Sequence, residues 1–214
     1  MSSVLEFSES RMLNIKRYTG GFAATNGYLL EAPEGLILVD APEGVSAWLD
    51  GLGIEVTDLL LTHLHFDHVL DAATVRDRGV RVYSYARLSK ELSLEHMFGE
   101  IFGGAFAVDP FESDELLEGV GALQVAGLEL EVLHVPGHSP DSVCFYSREH
   151  GQLFGGDVLM CGGYGRTDFP HGDEALLFAG IREKVFALDD GVEVHSGHGE
   201  VTTIGAERAR GLIG

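Results

Sequence analysis

Residues 59–72 read LLLTHLHFDHVLDA, an apolar run that ends in a cluster of potential metal ligands. The leucines predict a short buried strand, and His63, His65, Asp67 and His68 follow it closely. A strand that stops at a sheet edge delivers its last residues into a crevice, where open α/β sheets place their chemistry. The first two histidines are two residues apart, so both can face one side of an extended chain. The other two ligands cannot share that face and are expected on the turn into the next helix.

The cluster has a simpler interpretation, because His and Asp also occur as loop polar residues and as helix caps. The pattern H-x-H-x-D-H directly after a hydrophobic strand favours a metal site instead. Imidazole and carboxylate ligands without thiolate suit zinc, iron or manganese, and they are not typical of a Cys-rich structural zinc site.

The composition indicates a globular enzyme folded as one domain over residues 1–214, with 45% hydrophobic and 22% charged residues and no linker-like tract. The balance of 14 basic and 34 acidic residues gives a formal charge of −20. Such a charge repels phosphate backbones and anionic lipids, so nucleic acids and membrane surfaces are poor partners. Residues 1–9 lack the features of a signal peptide, and the two cysteines, Cys144 and Cys161, are no disulfide framework. We therefore expect a cytoplasmic protein.

Strands and helices alternate along the chain, which is typical of the α/β class. Residues 27–32 and 36–41 flank Pro-Glu-Gly and predict a hairpin. The further predicted strands are residues 58–62, 80–85, 128–135, 142–146, 152–159 and 191–196. The predicted helices are residues 45–52, 69–77, 89–104, 173–188 and 203–210.

Further candidate ligands stand at the ends of predicted strands. His138 lies at the tip of a Pro-Gly-His-Ser-Pro turn, Asp157 follows two glycines, and His198 stands between glycines. Any one of them alone could be a turn residue, but all three at strand ends predict a site between two half-sheets. Asp40 also ends a predicted strand. It either caps the following turn or accepts a hydrogen bond from a metal-bound histidine.

The order THLHFDH, PGHSP, GGD and SGHGE over most of the chain resembles the metallo-β-lactamase superfamily. The stretches GRTDFP (165–170) and GHGEVTTIGAER (197–208) are similar to those of glyoxalase II-like, or hydroxyacylglutathione hydrolase-like, enzymes of the short type without a C-terminal helical domain. The resemblance implies an αββα sandwich with a metal site at its edge. The resemblance also implies that the substrate is a small-molecule thioester derived from glutathione.

The resemblance also implies two divalent metal ions, zinc foremost, with iron or manganese as alternatives. It assigns His63, His65 and His138 to the first ion, Asp67, His68 and His198 to the second, and Asp157 to both. A hydroxide between the ions would attack a thioester such as S-lactoylglutathione, and Asp67 would orient it as the catalytic residue. The sequence shows no Ser-His-Asp arrangement with a nucleophile elbow, which agrees with a metal-borne nucleophile.

Substrate contacts are carried over from the same resemblance. Arg166 matches the basic position that holds a glutathione carboxylate in the family, although it could equally be a structural partner of Asp168. Asp168 and Phe169 stand where the long enzymes have a glutathione-contacting tyrosine.

Two other chemistries share these motifs. Iron-dependent persulfide dioxygenases resemble the chain in the same elements and would bind a single iron through His63, His138 and Asp157, consuming oxygen. The stretch GHGEVTTIGAER favours the thioester hydrolase over the dioxygenase. Hydrolysis of lactones or other esters is a third reaction that the same metals could catalyse. A non-catalytic metal-binding module would predict an incomplete ligand set, and no ligand is missing from the sequence.

Overall fold

The computed structural model describes residues 13–102 and 107–213, and within them two mixed β-sheets face one another. The first sheet has the strand order β1 (Asn14–Gly20), β2 (Thr25–Ala32), β3 (Gly35–Val39), β4 (Asp58–Leu60), β5 (Arg81–Ser84) and β6 (Glu115–Leu116). Its β3, β4 and β5 pair in parallel, so their carboxyl ends meet at one edge of the sheet.

The second sheet begins with the strands β7 (Ala122–Val125), β8 (Leu128–His134), β9 (Val143–Ser147) and β10 (Gln152–Gly156). A separate hairpin follows, formed by β11 (Leu159–Met160) and β12 (Gly163–Tyr164). The strands β13 (Glu193–Ser196) and β14 (Thr202–Thr203) complete the second sheet, whose order is β14, β13, β10, β9, β8, β7. The parallel pair of β10 and β13 again directs two carboxyl ends to one edge.

Helices cover the outer face of each sheet. They are α1 (Val45–Leu52), α2 (Phe66–Val69), α3 (Ala72–Arg76), α4 (Lys90–Ser93), α5 (Glu95–Phe102), α6 (Glu174–Gly180) and α7 (Ile204–Arg210), with a π-helical segment at Ile181–Val185. In the described part of the chain, no helix combines the length and the apolar character that crossing a membrane requires.

The core lies in three layers because successive side chains of a strand point to opposite faces. On β2, Leu30 packs between the sheets with Phe145 and Phe154, whereas Leu29 packs outward against Leu49 of α1. A third cluster, around Leu153, buries the outer face of the second sheet under α6. This order of helices, sheet, sheet and helices confirms the predicted αββα sandwich.

The hairpin prediction is confirmed, since β2 and β3 pair antiparallel from Tyr28 with Val39 to Ala32 with Gly35. The predicted helix at 69–77 is wrong as a single element, because α2 starts at Phe66, inside the ligand motif, and α3 follows separately.

The predicted helices at 89–104 and 173–188 are also interrupted. Leu94 adopts a left-handed φ of 56°, which cannot continue a right-handed helix and separates α4 from α5; residues 103–104 lie outside the described ranges. The helix that starts after Asp173 ends at Gly180 and continues as the π-helical segment.

The buried side chain of His195 gives the fold a pH dependence. Its ring stacks on Phe154 at 5.0 Å and meets the edge of Tyr28 at 5.1 Å, between the two sheets. Burial, opposed in part by Glu193, lowers the pKa of His195 from 6.5 to about 4. The unfolded chain therefore binds a proton between these values while the folded chain does not, so stability falls as the pH drops below 6.5.

We expect the wild-type protein to lose about 2 kcal/mol of unfolding free energy between pH 7.5 and pH 5 through this residue. His195→Gln should abolish that share of the loss, whereas His96→Gln, at a side chain that is 76% exposed, should retain it. Urea denaturation at both pH values measures the difference. Equal pH dependence in the His195 variant and the wild type would contradict this origin.

Candidate metal centre

The candidate ligands lie where strands of the two sheets end. His63 and His65 follow β4, and Asp67 and His68 lie in the first turn of α2. From the second sheet, His138 lies in the connection between β8 and β9, Asp157 directly follows β10, and His198 follows β13. The predicted strand 152–159 thus ends earlier, at Gly156, and Asp157 lies just beyond the sheet.

The structure brings these side chains together in three overlapping groups, each with donor atoms within 4.8 Å of one another. The groups are His63, His65 and His138; His63, His68 and Asp157; and Asp67, His68 and His198. All seven residues predicted from the sequence as ligands therefore belong to one continuous cluster.

Asp157 lies at the centre of this cluster. Its Oδ1 is 3.4 Å from Nε2 of His68. Its Oδ2 is 3.5 Å from Nε2 of His138 and 3.3 Å from Nε2 of His198. One carboxylate therefore reaches imidazoles from both sides of the cluster.

The inward atoms of the cluster are suited to bind a cation. Nε2 of His63, His68 and His138, and Oδ1 of Asp157, are buried without any hydrogen-bond partner. Leaving such atoms unpaired is costly, and a divalent cation bound by imidazole and carboxylate would satisfy them. The residues present therefore fit a metal centre.

Outward hydrogen bonds fix the orientation of the same rings. Nδ1 of His68 donates to Asp40 Oδ2 at 2.8 Å, and Nδ1 of His138 donates to the carbonyl of Arg166 at 2.7 Å. Both partners can only accept, so each ring carries a hydrogen on Nδ1, and its Nε2 is the nitrogen that can offer a lone pair to a cation once it is free of a proton.

Asp40 is itself held firmly in place. Its Oδ1 accepts from the backbone N–H of Thr62 at 2.8 Å, and its Oδ2 accepts from the hydroxyl of that residue at 2.8 Å. Asp40 also has a left-handed backbone with φ of 58°, which is uncommon for residues other than Gly, Asn and Asp. The buried carboxylate therefore does more than cap a turn, since it connects the strand end before the ligand motif to His68.

Asp67 lies on the second side of the cluster, where the hydroxyl of Thr25 donates to its Oδ2 at 2.7 Å. Burial opposes its charge, but the neighbouring His68 and hydrogen bonds with His198 and Thr25 lower its pKa to about 2. Asp67 is therefore a carboxylate throughout the physiological pH range. Thr25 was not predicted as a site residue, because a threonine at the start of a strand carries no motif.

The histidines divide into two electrostatic classes. Burial and the surrounding imidazoles lower the pKa of His63 well below its usual value, and that of His65 to about 3. Burial also acts to lower the pKa of His68, but the charges of Asp67, Asp40 and Asp157 raise it well above the usual range. At His198, hydrogen bonds with Asp157 and Asp67 overcome burial and raise the pKa to about 10. In the absence of metal, protons thus stabilise the carboxylate side of the cluster.

A pocket of about 360 Å³ opens beside the cluster. The structure places Arg166 at its rim, where the side chain forms an ion pair with Asp168. Sequence reasoning missed most of the apolar wall, which includes Leu94, Phe98 and, from the β11–β12 hairpin, Met160 and Tyr164.

The hairpin is held by a residue that the motifs did not single out. The buried carboxylate of Glu207 accepts from the backbone N–H of Gly162 at 2.9 Å and from the hydroxyl of Thr202. A glutamate on a C-terminal helix reads as a surface residue, and only its place within GHGEVTTIGAER could have drawn attention to it.

Comparison with known proteins agrees with this geometry. The chain is 38% identical over 164 residues to a hydroxyacylglutathione hydrolase, GloC, of Haemophilus influenzae, covering 75% of this chain and 76% of that protein. It is similar to the crystal structure of BLEG-1, a B3 metallo-β-lactamase, with a TM-score of 0.80, 33% identity and coverage of 92% and 97%. It is also similar to TTHA1623 in a di-iron-bound form, with a TM-score of 0.77, 35% identity and coverage of 90% and 96%.

The model of one protein family, the metallo-β-lactamase superfamily, spans the whole cluster. It matches residues 20–198, which extend from the end of β1 to the last of the candidate ligands. The chain therefore belongs to the metallo-β-lactamase superfamily.

Proposed function

We propose that this metal-dependent hydrolase cleaves thioesters of the S-lactoylglutathione type at a centre of two divalent metal ions. The observation that carries the proposal is the position of Asp157, whose two oxygens reach imidazoles on both sides of the cluster. Similarity to a hydroxyacylglutathione hydrolase supports the thioester as substrate.

The proposed ligands follow the groups found in the structure. One ion would be held by His63, His65 and His138, the other by Asp67, His68 and His198, with Asp157 shared between them. Zinc suits this set of imidazole and carboxylate donors, and iron or manganese are alternatives with the same ligands.

Two such ions, when bound, would lower the pKa of a coordinated water and would polarise the carbonyl of the substrate. The protein supplies the orientation. Asp67 is ionised and held at one oxygen by Thr25, so its carboxylate can accept a hydrogen bond from the attacking water and direct the lone pair at the carbonyl. A thiolate leaving group is a weak base and departs without prior protonation by an acid.

The metal-loaded protein should contain about two ions per chain and hydrolyse S-lactoylglutathione without consuming oxygen. Elemental analysis gives the metal content, and loss of the thioester absorbance gives the rate. An oxygen electrode with glutathione persulfide tests the dioxygenase alternative, which would use His63, His138 and Asp157 with one iron. Oxygen uptake on the persulfide without thioester hydrolysis would contradict our assignment and favour the dioxygenase. Turnover of a lactone but of no thioester would also contradict it and favour a lactone hydrolase.

Asp157→Ala should remove both metal and turnover, because it deletes the carboxylate that both ions are proposed to share. We expect the rate to fall by more than the roughly 100-fold that loss of an outer hydrogen-bonding partner costs. The control is Asp58→Asn, which alters a buried carboxyl at the opposite end of β4, hydrogen-bonded by Thr57 and Tyr83. Normal metal content with full activity in the Asp157 variant would refute the bridging role.

Asp40→Asn should weaken metal binding by about 10- to 100-fold, because an amide can donate to His68 Nδ1 and so move its hydrogen to the inward Nε2. Asparagine tolerates the left-handed backbone at this position. Asp71→Asn is the matched control, since that carboxylate lies nearby but accepts from the N–H and hydroxyl of Ser46. Competition with a chromophoric chelator measures the affinity, and an unchanged value in the Asp40 variant would contradict the role of its carboxylate.

A further inference from the structure

The pocket beside the metal cluster is walled chiefly by apolar and aromatic side chains. Its volume is about 360 Å³, which is enough for a group of several non-hydrogen atoms next to the cluster. The apolar and aromatic lining consists of Phe22, Ala23, Phe66, Leu94, Phe98, Met160, Tyr164 and Phe169.

Phe169 joins this wall to the metal cluster. The centroid of its ring is 5.9 Å from that of His65 and 6.5 Å from that of His138. On its other side the ring of Phe98 lies at 5.6 Å with an interplanar angle of 77°. A group attached to a carbonyl at the cluster would therefore contact the faces and edges of aromatic rings, which favour flat apolar partners.

The cationic side chain of this pocket is already paired with a carboxylate. Among the described lining residues, Arg166 is the only lysine or arginine. Its Nε and Nη2 donate to the two oxygens of Asp168 at 2.7 and 2.6 Å, and its Cζ lies 4.0 Å from the centroid of Phe169. An incoming carboxylate would have to displace Asp168 from this bidentate pair or approach alongside its negative charge.

The overall charge acts in the same direction. The chain carries a formal charge of −20, and bound metal ions would offset only a few of these charges. The remaining negative charge disfavours the approach of anionic ligands. Recognition of the carboxylates of glutathione by ion pairs would require free guanidinium or ammonium groups, and the described lining offers one guanidinium, which is paired.

We propose that the pocket selects thioesters by an uncharged, flat apolar group, and that Asp168 is a specificity-determining residue that withholds Arg166 from substrate carboxylates. This inference rests on the proposed thioesterase function and names the class of substrate for the same site. Glutathione would then serve as one acceptable thiol among others and would gain nothing from its carboxylates.

Binding of stable thioethers to the metal-loaded protein tests the inference without turnover. The probes are S-methylglutathione and S-benzylglutathione, each as the free acid and as the diamide in which both carboxylates are carboxamides. We expect benzyl to lower Kd about tenfold or more relative to methyl in both forms, as burial of an aromatic ring implies. We expect free acid and diamide to bind within threefold of each other, or the diamide to bind more tightly. Isothermal calorimetry gives the four values.

Variants assign the effects to residues. Phe169→Ala should remove most of the gain from the benzyl group, and Leu212→Ala, at an exposed leucine outside the pocket, should leave it unchanged. Asp168→Asn should tighten the free acids several-fold while leaving the diamides unchanged, because it releases Arg166. Asp190→Asn breaks a comparable exposed pair with Arg208 and should alter neither.

The results separate this inference from the proposed function. A free acid that binds tenfold more tightly than its diamide in the wild type, or a benzyl gain below threefold, would overturn the inference even if thioesters are hydrolysed. The expected binding pattern without hydrolysis of any thioester would contradict the thioesterase proposal. It would still support selection of a flat apolar group by the pocket and the role of Asp168.

Discussion

The carboxylate of Asp157 is the constraint on which the arrangement of the site depends. It is buried at the end of β10, and such a charge must be paired within the protein or by a cation. Burial favours its neutral form, but the imidazoles of His68, His198 and His138 keep its pKa well below the usual value. Because His68 comes from the first sheet and the other two histidines from the second, both sheets must end at the same place for the charge to be satisfied.

The ligand motif therefore depends on the fold in a particular way. The short α2 directs His68 to the cluster, and the left-handed residue Asp40 supports it from behind through a hydrogen bond of 2.8 Å. On the other side, the carbonyl of Arg166 orients His138. This places the segment from Arg166 to Phe169 in two roles, since its backbone orients a candidate ligand while its side chains form the rim of the pocket.

The fold and the members of the cluster could be predicted from sequence because their signals are local. A strand followed by closely spaced His and Asp residues has few geometries, and glycine-flanked donors at strand ends repeat that logic. The break at Leu94 was missed, since apolar spacing in residues 89–102 fits one helix as well as two. The β11–β12 hairpin was missed because its strands have two residues each, too few for an alternating pattern. The role of Glu207 was missed because its bond to Gly162 joins parts of the chain 45 residues apart.

The candidate metal cluster and the rim of the pocket differ in burial. His63, His65, His68, His138 and Asp157 are buried, and outer hydrogen bonds hold His68, so a change among them disturbs several partners at once. Arg166 and Asp168, by contrast, have side chains that are 57% and 67% exposed, and an exposed ion pair contributes little to stability. Substitutions of these two side chains are therefore expected to leave the fold and the metal cluster intact. If Arg166 and Asp168 act as we propose, the same centre can accept different substrates according to whether the rim presents a free guanidinium or a neutralised one.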